Sequence, residues 1–344
     1  MNRELRSVID RYPNLIQPES VELFDQGQGF SGAAIFRLTC GLGEFCLRRW
    51  PINSLPESRI LGLHRLLKET HQAGVSQLAV AIETTDDQTL IATHGHHWQL
   101  EPWMPGTADF RENPNTDRLH AAMRCLAQWH LAAGEFQPRA DERQWFASMS
   151  DATSPAVAER GKRIRKLQDG GCDAIGRAIA QSNHDEFDSI SQSLLNRFNE
   201  LAAKVADELA GAASIRVSLQ PCIRDVWHDH VLFTGNEVSG LIDLSACRTE
   251  NVATDLARLL GSLLSDDSAA WATALDAYQT LRPLTANEQQ LVGIFDRSAV
   301  LLSGMTWLER HYLQNIRLAD VDRVIDRLKH YLGRLDHLSS LIFG

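Results

Sequence analysis

The stretch Asp225-Val-Trp-His-Asp-His230-Val-Leu-Phe-Thr-Gly-Asn-Glu-Val-Ser-Gly-Leu-Ile-Asp243 sets two acids on either side of a strand-turn-strand. Val231 to Phe233 is a short apolar run, Thr234-Gly235-Asn236 supplies turn residues that tolerate positive φ, and Val238 to Ile242 returns as a second strand. The hairpin is expected to hold Asp225 ahead of one strand and Asp243 at the end of the other. Two carboxylates on such rigid backbone ends can divide labour. One orients and deprotonates an attacking hydroxyl while the other holds a metal bridging nucleotide phosphates. An acid at a strand end can equally be a turn-former and nothing more.

Around these acids the chain resembles the aminoglycoside phosphotransferase and choline kinase superfamily, small-molecule kinases with a protein-kinase-like fold. The pattern of that superfamily is His-Gly-Asp-x-x-x-x-Asn, a strand pair, Ile-Asp-Trp, and then Gly-Asp-Pro-x-x-Asp-Leu-Ala. Laid on it without a gap, the resemblance implies Asp225 as catalytic base, His230 at the metal-binding Asn and Asp243 at the metal-binding Asp. Asp255-Leu256-Ala257 falls on the closing Asp-Leu-Ala. Three departures stand out: Ile223-Arg224 for His-Gly, His230 for Asn, and Asn251-Val252 for Asp-Pro.

The His230 exchange has chemical consequences, because Mg²⁺ prefers hard oxygen ligands whereas imidazole suits softer transition metals. The resemblance implies ATP and Mg²⁺, with Mn²⁺ the alternative metal. Asp229 can lend an oxygen from the adjacent position, or His230 can hydrogen-bond a phosphate directly. A zinc site at His228, Asp229 and His230 is the lesser reading, since neighbouring ligands without a second cluster rarely close a tetrahedron.

Toward the start, Gly27-Gln-Gly29-Phe-Ser31-Gly32 is followed by a run, Ala33 to Leu38, that reads as a strand and turns at Gly41-Leu-Gly43 into Glu44 to Trp50. A dinucleotide-binding fold needs a helix after such glycines, whereas a kinase-like loop needs a strand. Gly27, Gly29 and Gly32 would let backbone N–H groups approach phosphates, and Ser31 adds a hydroxyl. The bland alternative is a plain glycine-containing hairpin. In the resemblance, Arg48 falls on the basic residue that grips the α and β phosphates, and arginine keeps the charge with a bidentate fork. The following helix, about Glu57 to Ala73, puts Leu63 or His64 where the usual Glu would stand; Glu57 or Glu69 can substitute from another turn, neither is assigned to the site, and the acidic partner of Arg48 is left open.

Trp98 to Gly106 is similar to the last strand of the family's first lobe running into its hinge, where backbone groups of Glu101 to Trp103 would meet the adenine edge. The preceding turn, His94-Gly95-His96-His97, is expected to gather imidazoles at a hairpin tip. The implied fold is α+β and bilobal. Residues 1–105 form a nucleotide-binding lobe, a small antiparallel sheet with one helix. Residues 106–344 form a larger helical lobe carrying the catalytic and metal-binding loops.

Helical spacing recurs along that second region: Leu119, Met123, Leu126, Trp129 and Leu131 within Asp117 to Ala133, then about Pro155 to Leu167 and Glu186 to Leu209. Gly170-Gly171 breaks the first of these last two. Asp255 to Leu264, Ala269 to Leu281, Asn287 to Arg310 and Leu318 to Leu341 follow, the last two with a three-to-four-residue apolar rhythm typical of core helices.

With 344 residues, 44% apolar and 23% charged, the chain has enough apolar side chains for a packed core and is not expected to be disordered. No apolar leader and no membrane-length run is apparent, so the cytoplasm is the expected location. The six cysteines are scattered and read as reduced thiols. A net charge of −10 speaks against nucleic-acid or anionic-membrane partners and mildly favours a cationic acceptor. The expected activity is ATP-dependent phosphoryl transfer to the hydroxyl of a small molecule, an amino alcohol, sugar or aminoglycoside-like acceptor. A pseudokinase-like nucleotide-binding module is the alternative, and a dinucleotide-dependent oxidoreductase a distant third.

Overall fold

The computed structural model describes residues 3–24, 33–52, 54–183, 185–314, 316, 318 and 320–343. The first part of the chain runs α1 (Arg3–Ile9), β1 (Ser20–Leu23), β2 (Ala34–Cys40), β3 (Gly43–Arg49), α2 (Glu57–Gln72), β4 (Ile91–Thr93), β5 (His96–Pro102), α3 (Thr116–Gly134) and α4 (Arg143–Phe146). There follow β6 (Met149–Ala152), α5 (Pro155–Lys166), α6 (Cys172–Ile179), α7 (Asp185–Gly211), β7 (Val217–Cys222), β8 (Val231–Thr234), β9 (Glu237–Leu241) and β10 (Arg248–Glu250). The chain ends in α8 (Ala253–Leu264), α9 (Ser268–Gln279), α10 (Ala286–Leu308) and α11 (Val321–Phe343). Two compact units result: one from Met1–Ser148, His228–Thr249 and Asp276–Arg282, the other from Met149–Trp227, Glu250–Leu275 and Pro283–Gly344.

The first unit is built on a five-stranded antiparallel sheet in the order β1-β2-β3-β5-β4. Strand alternation sends Leu38, Leu47, Trp98 and Leu100 to one face, where they bury with Leu5, Val8, Ile9 and Tyr12 from α1 and its continuation. The other face carries Cys46, Arg48, Gln99 and Glu101, which the β3–β5 register sets opposite or diagonal to one another. Of the α3 positions expected at helical spacing, Leu131 is exposed. The β4–β5 turn is His94-Gly95 alone, both at positive φ as a tight two-residue hairpin requires. His96 and His97 therefore belong to β5 rather than to the tip. His96 Nδ1 meets the Trp50 carbonyl at 2.9 Å and His97 lies 3.8 Å from Glu57.

The β8–β9 hairpin belongs to this unit and has the turn its sequence demands, with Gly235 at φ 62°. It is pinned by Gly106, whose φ is 95°, while Thr107 pairs with Phe233 on both sides, donating at 3.0 Å and accepting at 2.9 Å. A Cβ at Gly106 would collide with the Phe233 carbonyl and the Ser239 hydroxyl, so glycine is required there for close approach as well as for φ.

Apart from strands of the three-stranded sheet β10-β7-β6, the second unit is helical, with Met149 of β6 opposite Leu219 and Ala152 opposite Val217 of β7. Its core is the stripe expected from the apolar rhythm. Leu194, Phe198, Leu201 and Val205 of α7 bury with Leu291, Phe295, Leu301 and Leu308 of α10 and with Leu328 and Leu335 of α11. The helix Ala286–Leu313 is long and apolar enough to cross a membrane by composition, and 67% of its apolar window is buried within the protein. The break foreseen at Gly170-Gly171 is a kink, Gly170 taking φ 104°, after which the chain resumes as α6. All six cysteines are buried and unpaired by disulfides.

Candidate active site

Arg48 gathers the functional groups of the first unit. It stands opposite Gln99, while Glu101 stands opposite Cys46, two residues back on the same face. The Glu101 carboxylate is thus a diagonal cross-strand neighbour of the guanidinium, 3.6 Å away, with both side chains nearly buried. Nη1 of Arg48 also donates to Oδ1 of Asp243 at 3.3 Å, joining residues 195 positions apart, and the guanidinium lies 5.5 Å from the Trp50 ring. Burial works against the Arg48 charge, but Glu101 and Asp243 more than reverse it, so the pKa is raised and the guanidinium is permanently charged.

A buried polar chain holds Glu101 in turn. Gln99 Nε2 donates to Glu101 at 2.7 Å, and Gln99 Oε1 accepts from Trp50 Nε1 at 2.8 Å and from His64 Nε2 at 2.9 Å. Because that oxygen only accepts, His64 carries its proton on Nε2, and Nδ1 accepts from the Thr89 hydroxyl at 2.9 Å. Burial pushes the His64 pKa down to about 4. The acid that the sequence sought on the helix after β3 comes from β5 instead, and α2 contributes the neutral His64 beneath it.

Asp243 leaves β9 in the left-handed region, φ 56° and ψ 55°, which turns its carboxylate toward Arg48. Ser245 Oγ donates to it at 3.0 Å, and the Ile242 N–H donates to the His230 carbonyl at 3.0 Å, keeping His230 beside the acid. Burial alone would raise the Asp243 pKa, yet Arg48, His230 and the Ser245 hydroxyl outweigh it and hold the carboxyl below its ordinary range. From α2, Arg59 reaches the carbonyls of Ser245 at 3.5 Å and Cys247 at 3.4 Å. An ionised carboxylate beside a hydroxyl is a hard-oxygen donor set suited to Mg²⁺ or Mn²⁺. His228 and Asp229 lie 3.3 Å from each other.

The hinge expectation is narrowed in two ways. The Trp103 N–H donates to the Glu44 carbonyl at 3.0 Å, so this donor is used by the sheet and not offered to a base. The Trp103 ring is covered by Arg37 at 4.9 Å and meets Phe24 edge-on at 5.0 Å. Gly27, Gly29, Ser31 and Gly32 lie outside the described residues.

Asp225 belongs to the second unit, the chain passing from one unit to the other between Trp227 and His228. The preceding residue, Arg224, adopts φ 66°, the conformation for which glycine is suited and where the superfamily pattern has Gly. Asp255 on α8 holds this turn, its two carboxylate oxygens accepting the N–H groups of Ile223 at 2.7 Å and Arg224 at 2.6 Å. The Arg224 side chain is tied to Glu159 at 2.7 Å and lies 3.8 Å from Glu250. Asp225 itself is half exposed and accepts from Nε and Nη2 of Arg258 at 3.3 and 3.2 Å. One helix face therefore shapes both the turn and its carboxylate, Asp255 and Arg258 being neighbours at helical spacing. The sequence pattern reached Asp255 but not Arg258, which follows Asp255-Leu256-Ala257 directly.

A model of the phosphotransferase enzyme family, APH, matches residues 26–289. The chain belongs to this family. Among solved structures, spectinomycin phosphotransferase in complex with ADP and spectinomycin is similar with TM-score 0.69 and 12% identity, covering 97% of each chain. An amicoumacin kinase in complex with AMP-PNP and Ca²⁺ is similar with TM-score 0.61 and 14% identity, over 97% of this chain and 94% of that one. A microcompartment-associated aminopropanol kinase is similar with TM-score 0.60 and 13% identity, over 98% and 97%. These likenesses establish the bilobal, protein-kinase-like α+β fold of the phosphotransferases. Among curated proteins, the homoserine kinase of Methylocella silvestris is 34% identical over 89 residues, 24% of this chain. The match spans 28% of that relative's length.

Proposed function

We propose that the protein is an ATP-dependent phosphotransferase acting on the hydroxyl of a small molecule. The observation that carries this reading is the Arg48–Asp243 contact at 3.3 Å, which unites a phosphate-gripping cation with a metal-holding acid. Residues 1–105 act as the nucleotide-binding lobe in this reading and residues 106–344 carry the catalytic and metal-binding loops. Arg48 grips the α and β phosphates and Glu101 orients it, while Gly27, Gly29, Ser31 and Gly32 cover the phosphates. The sheet already engages the backbone of Glu101, paired with Cys46, so in this reading the Trp103 carbonyl serves the adenine edge. Asp243, with His230 beside it, holds the divalent ion, Mg²⁺ or Mn²⁺, which neutralises phosphate charge when bound.

Asp225 takes the proton of the acceptor hydroxyl. The hydroxyl oxygen bonds to the γ-phosphorus, the bond from that phosphorus to the β–γ bridging oxygen breaks, and ADP leaves. Most of the rate comes from positioning and charge neutralisation. Nucleotide and acceptor are the partners, burial of 67% of the apolar window of Ala286–Leu313 supports a core helix rather than a membrane span, and a cytoplasmic location is part of this reading.

A second reading, a nucleotide-binding module with little catalysis, draws support from the clamp of Arg258 on Asp225 and from His230 in the place of Asn. Thermal unfolding with ATP and either metal, on the wild type, Asp225→Asn and Asp243→Ala, tests both. Metal-dependent stabilisation lost in Asp243→Ala and kept in Asp225→Asn, together with turnover lost by about 10²-fold or more in Asp225→Asn, is the expected result. Stabilisation without turnover to any alcohol selects the module. No stabilisation with either metal removes both readings.

A further inference from the structure

Four side chains of the first unit close a ring of polar contacts. Arg48 stands 3.6 Å from Glu101, Glu101 accepts from Gln99 Nε2 at 2.7 Å, and Gln99 Oε1 accepts from Trp50 Nε1 at 2.8 Å. The Trp50 ring then returns to the Arg48 guanidinium at 5.5 Å. Two strands build the ring by alternation. Gln99 and Glu101 are two residues apart on β5. Arg48 and Trp50 are two apart along β3 and its continuation, where the Trp50 N–H donates to the His97 carbonyl at 2.9 Å.

The chemistry of its members leaves the amide one orientation. An indole N–H only donates and a carboxylate only accepts, so Gln99 turns its oxygen to Trp50 and its NH₂ to Glu101. That oxygen has room for a second donor, and His64 Nε2 supplies it at 2.9 Å from α2. On the far side of the imidazole, the Thr89 hydroxyl meets Nδ1 at 2.9 Å. His64, Gln99 and Trp50 are 4%, 5% and 3% exposed, so solvent does not replace a bond lost from this chain.

The helix that carries His64 is itself tied down. Arg65, next along α2, donates from Nε to Glu142 at 3.1 Å and from Nη2 to the Gln137 carbonyl at 2.9 Å, and it lies 4.3 Å from the Phe136 ring. Successive residues of a helix point about 100° apart. One side of α2 is thus anchored while the adjacent one reaches the ring.

Resting on the phosphotransferase reading, in which Arg48 grips the nucleotide phosphates, we propose that His64 and Gln99 are positioning residues for nucleotide binding: they hold Glu101, and through it the Arg48 fork, on the fixed support of α2. The helix position where the superfamily pattern has its acid still bears on the cation, through a neutral relay in place of an ion pair. Such a relay adds no second cation beside Arg48 and no further anion beside Asp243, so the charges that meet phosphate and metal are unaltered. The second bond accepted by Gln99 Oε1 also polarises the amide and strengthens its donation to Glu101.

The test is calorimetry with ATP and the divalent ion, Mg²⁺ or Mn²⁺, that gives the tighter wild-type complex, and with adenosine alone. The proteins are the full-length wild type, His64→Gln, His64→Leu, Gln99→Met and the double variant His64→Leu/Gln99→Met. His64→Leu and Gln99→Met should each weaken metal–ATP binding by about tenfold and adenosine binding by less than about twofold, since adenosine has no phosphate for Arg48 to grip. Because both act through one chain, their losses should overlap, leaving the double variant near tenfold rather than the roughly hundredfold of independent sites. His64→Gln, whose amide can donate to Gln99 and accept from Thr89, should stay within about threefold of the wild type. If His64→Leu does not fold, His64→Asn, too short to reach Gln99, takes its place.

Unchanged metal–ATP binding in His64→Leu and Gln99→Met, losses that multiply in the double variant, or equal losses with adenosine overturn the inference and leave the phosphotransferase reading standing. A wild type that binds ATP with neither metal overturns both.

Discussion

Replacing Glu101 with Gln is the most direct probe of the first unit, because it removes one charge and almost no volume from a nearly buried cluster. At 3.6 Å, a Coulomb attraction screened with an effective dielectric near 20 amounts to roughly 4 to 5 kcal/mol before desolvation. Part of that attraction is returned when Glu101 no longer has to be stripped of water, and Arg48 keeps Asp243 at 3.3 Å. The net loss of stability should be about 1 to 3 kcal/mol, below the about 3 to 5 kcal/mol of a fully orphaned buried charge. Denaturant unfolding of Glu101→Gln, Arg48→Met and the double variant measures the coupling. A double variant less destabilised than the sum of the singles by about 1 kcal/mol or more is expected. In turnover, Glu101→Gln should raise the KM for ATP and spare the KM for the acceptor. Additive losses within about 0.5 kcal/mol, or an unchanged ATP KM, would refute the claim that Glu101 orients Arg48.

Two further outcomes follow from backbone and burial. His64, neutral in the fold with a pKa of about 4, titrates near 6.5 when unfolded, so the unfolded chain binds the extra proton between those values. Stability is therefore full above pH 6.5 and falls as pH drops toward 4, by up to about 3 kcal/mol, and the slope in that window should flatten in His64→Gln. At Arg224, with φ 66°, both Ala and Gly remove the side-chain ion pairs, but Ala keeps the left-handed strain. Arg224→Gly should be more stable than Arg224→Ala by about 1 kcal/mol in chemical unfolding, and equal stabilities would deny the strain.

What the sequence made legible was local. The β8–β9 hairpin could be read because period-two alternation and Gly235 lie within a dozen residues, and α7, α10 and α11 because an apolar stripe repeats for many turns. The kink at Gly170 was equally local. The pairing of Arg48 with Glu101 was hidden because it depends on the register between β3 and β5, strands separated by α2 and β4, and a slip of one residue would send Glu101 to the other face. Short elements such as α1, β6 and β7 carry too few residues for periodicity to stand out. The His94 to His97 expectation failed for a similar reason, since the shortest possible turn drew His96 and His97 into the strand.

The departures from the superfamily pattern are absorbed by geometry rather than left as defects. A left-handed arginine costs about 1 to 2 kcal/mol. Asp255 offsets this by accepting two backbone N–H groups at 2.6 and 2.7 Å, charge-assisted bonds of about 1.5 to 3 kcal/mol each. The turn before Asp225 is thus determined by its partner and not by the residue that occupies it. The same holds across the sheet, where β5 supplies the acid that α2 does not, and the guanidinium of Arg48 remains charged and aimed. His230 is different in kind, because its imidazole offers a nitrogen donor where an Asn would offer an oxygen. Its replacement by Asn should shift the metal preference of turnover from Mn²⁺ toward Mg²⁺, since only the donor atom changes from nitrogen to oxygen. An unchanged Mg²⁺ to Mn²⁺ activity ratio would remove His230 from the metal's ligands and leave Asp243 to hold the ion with the phosphates.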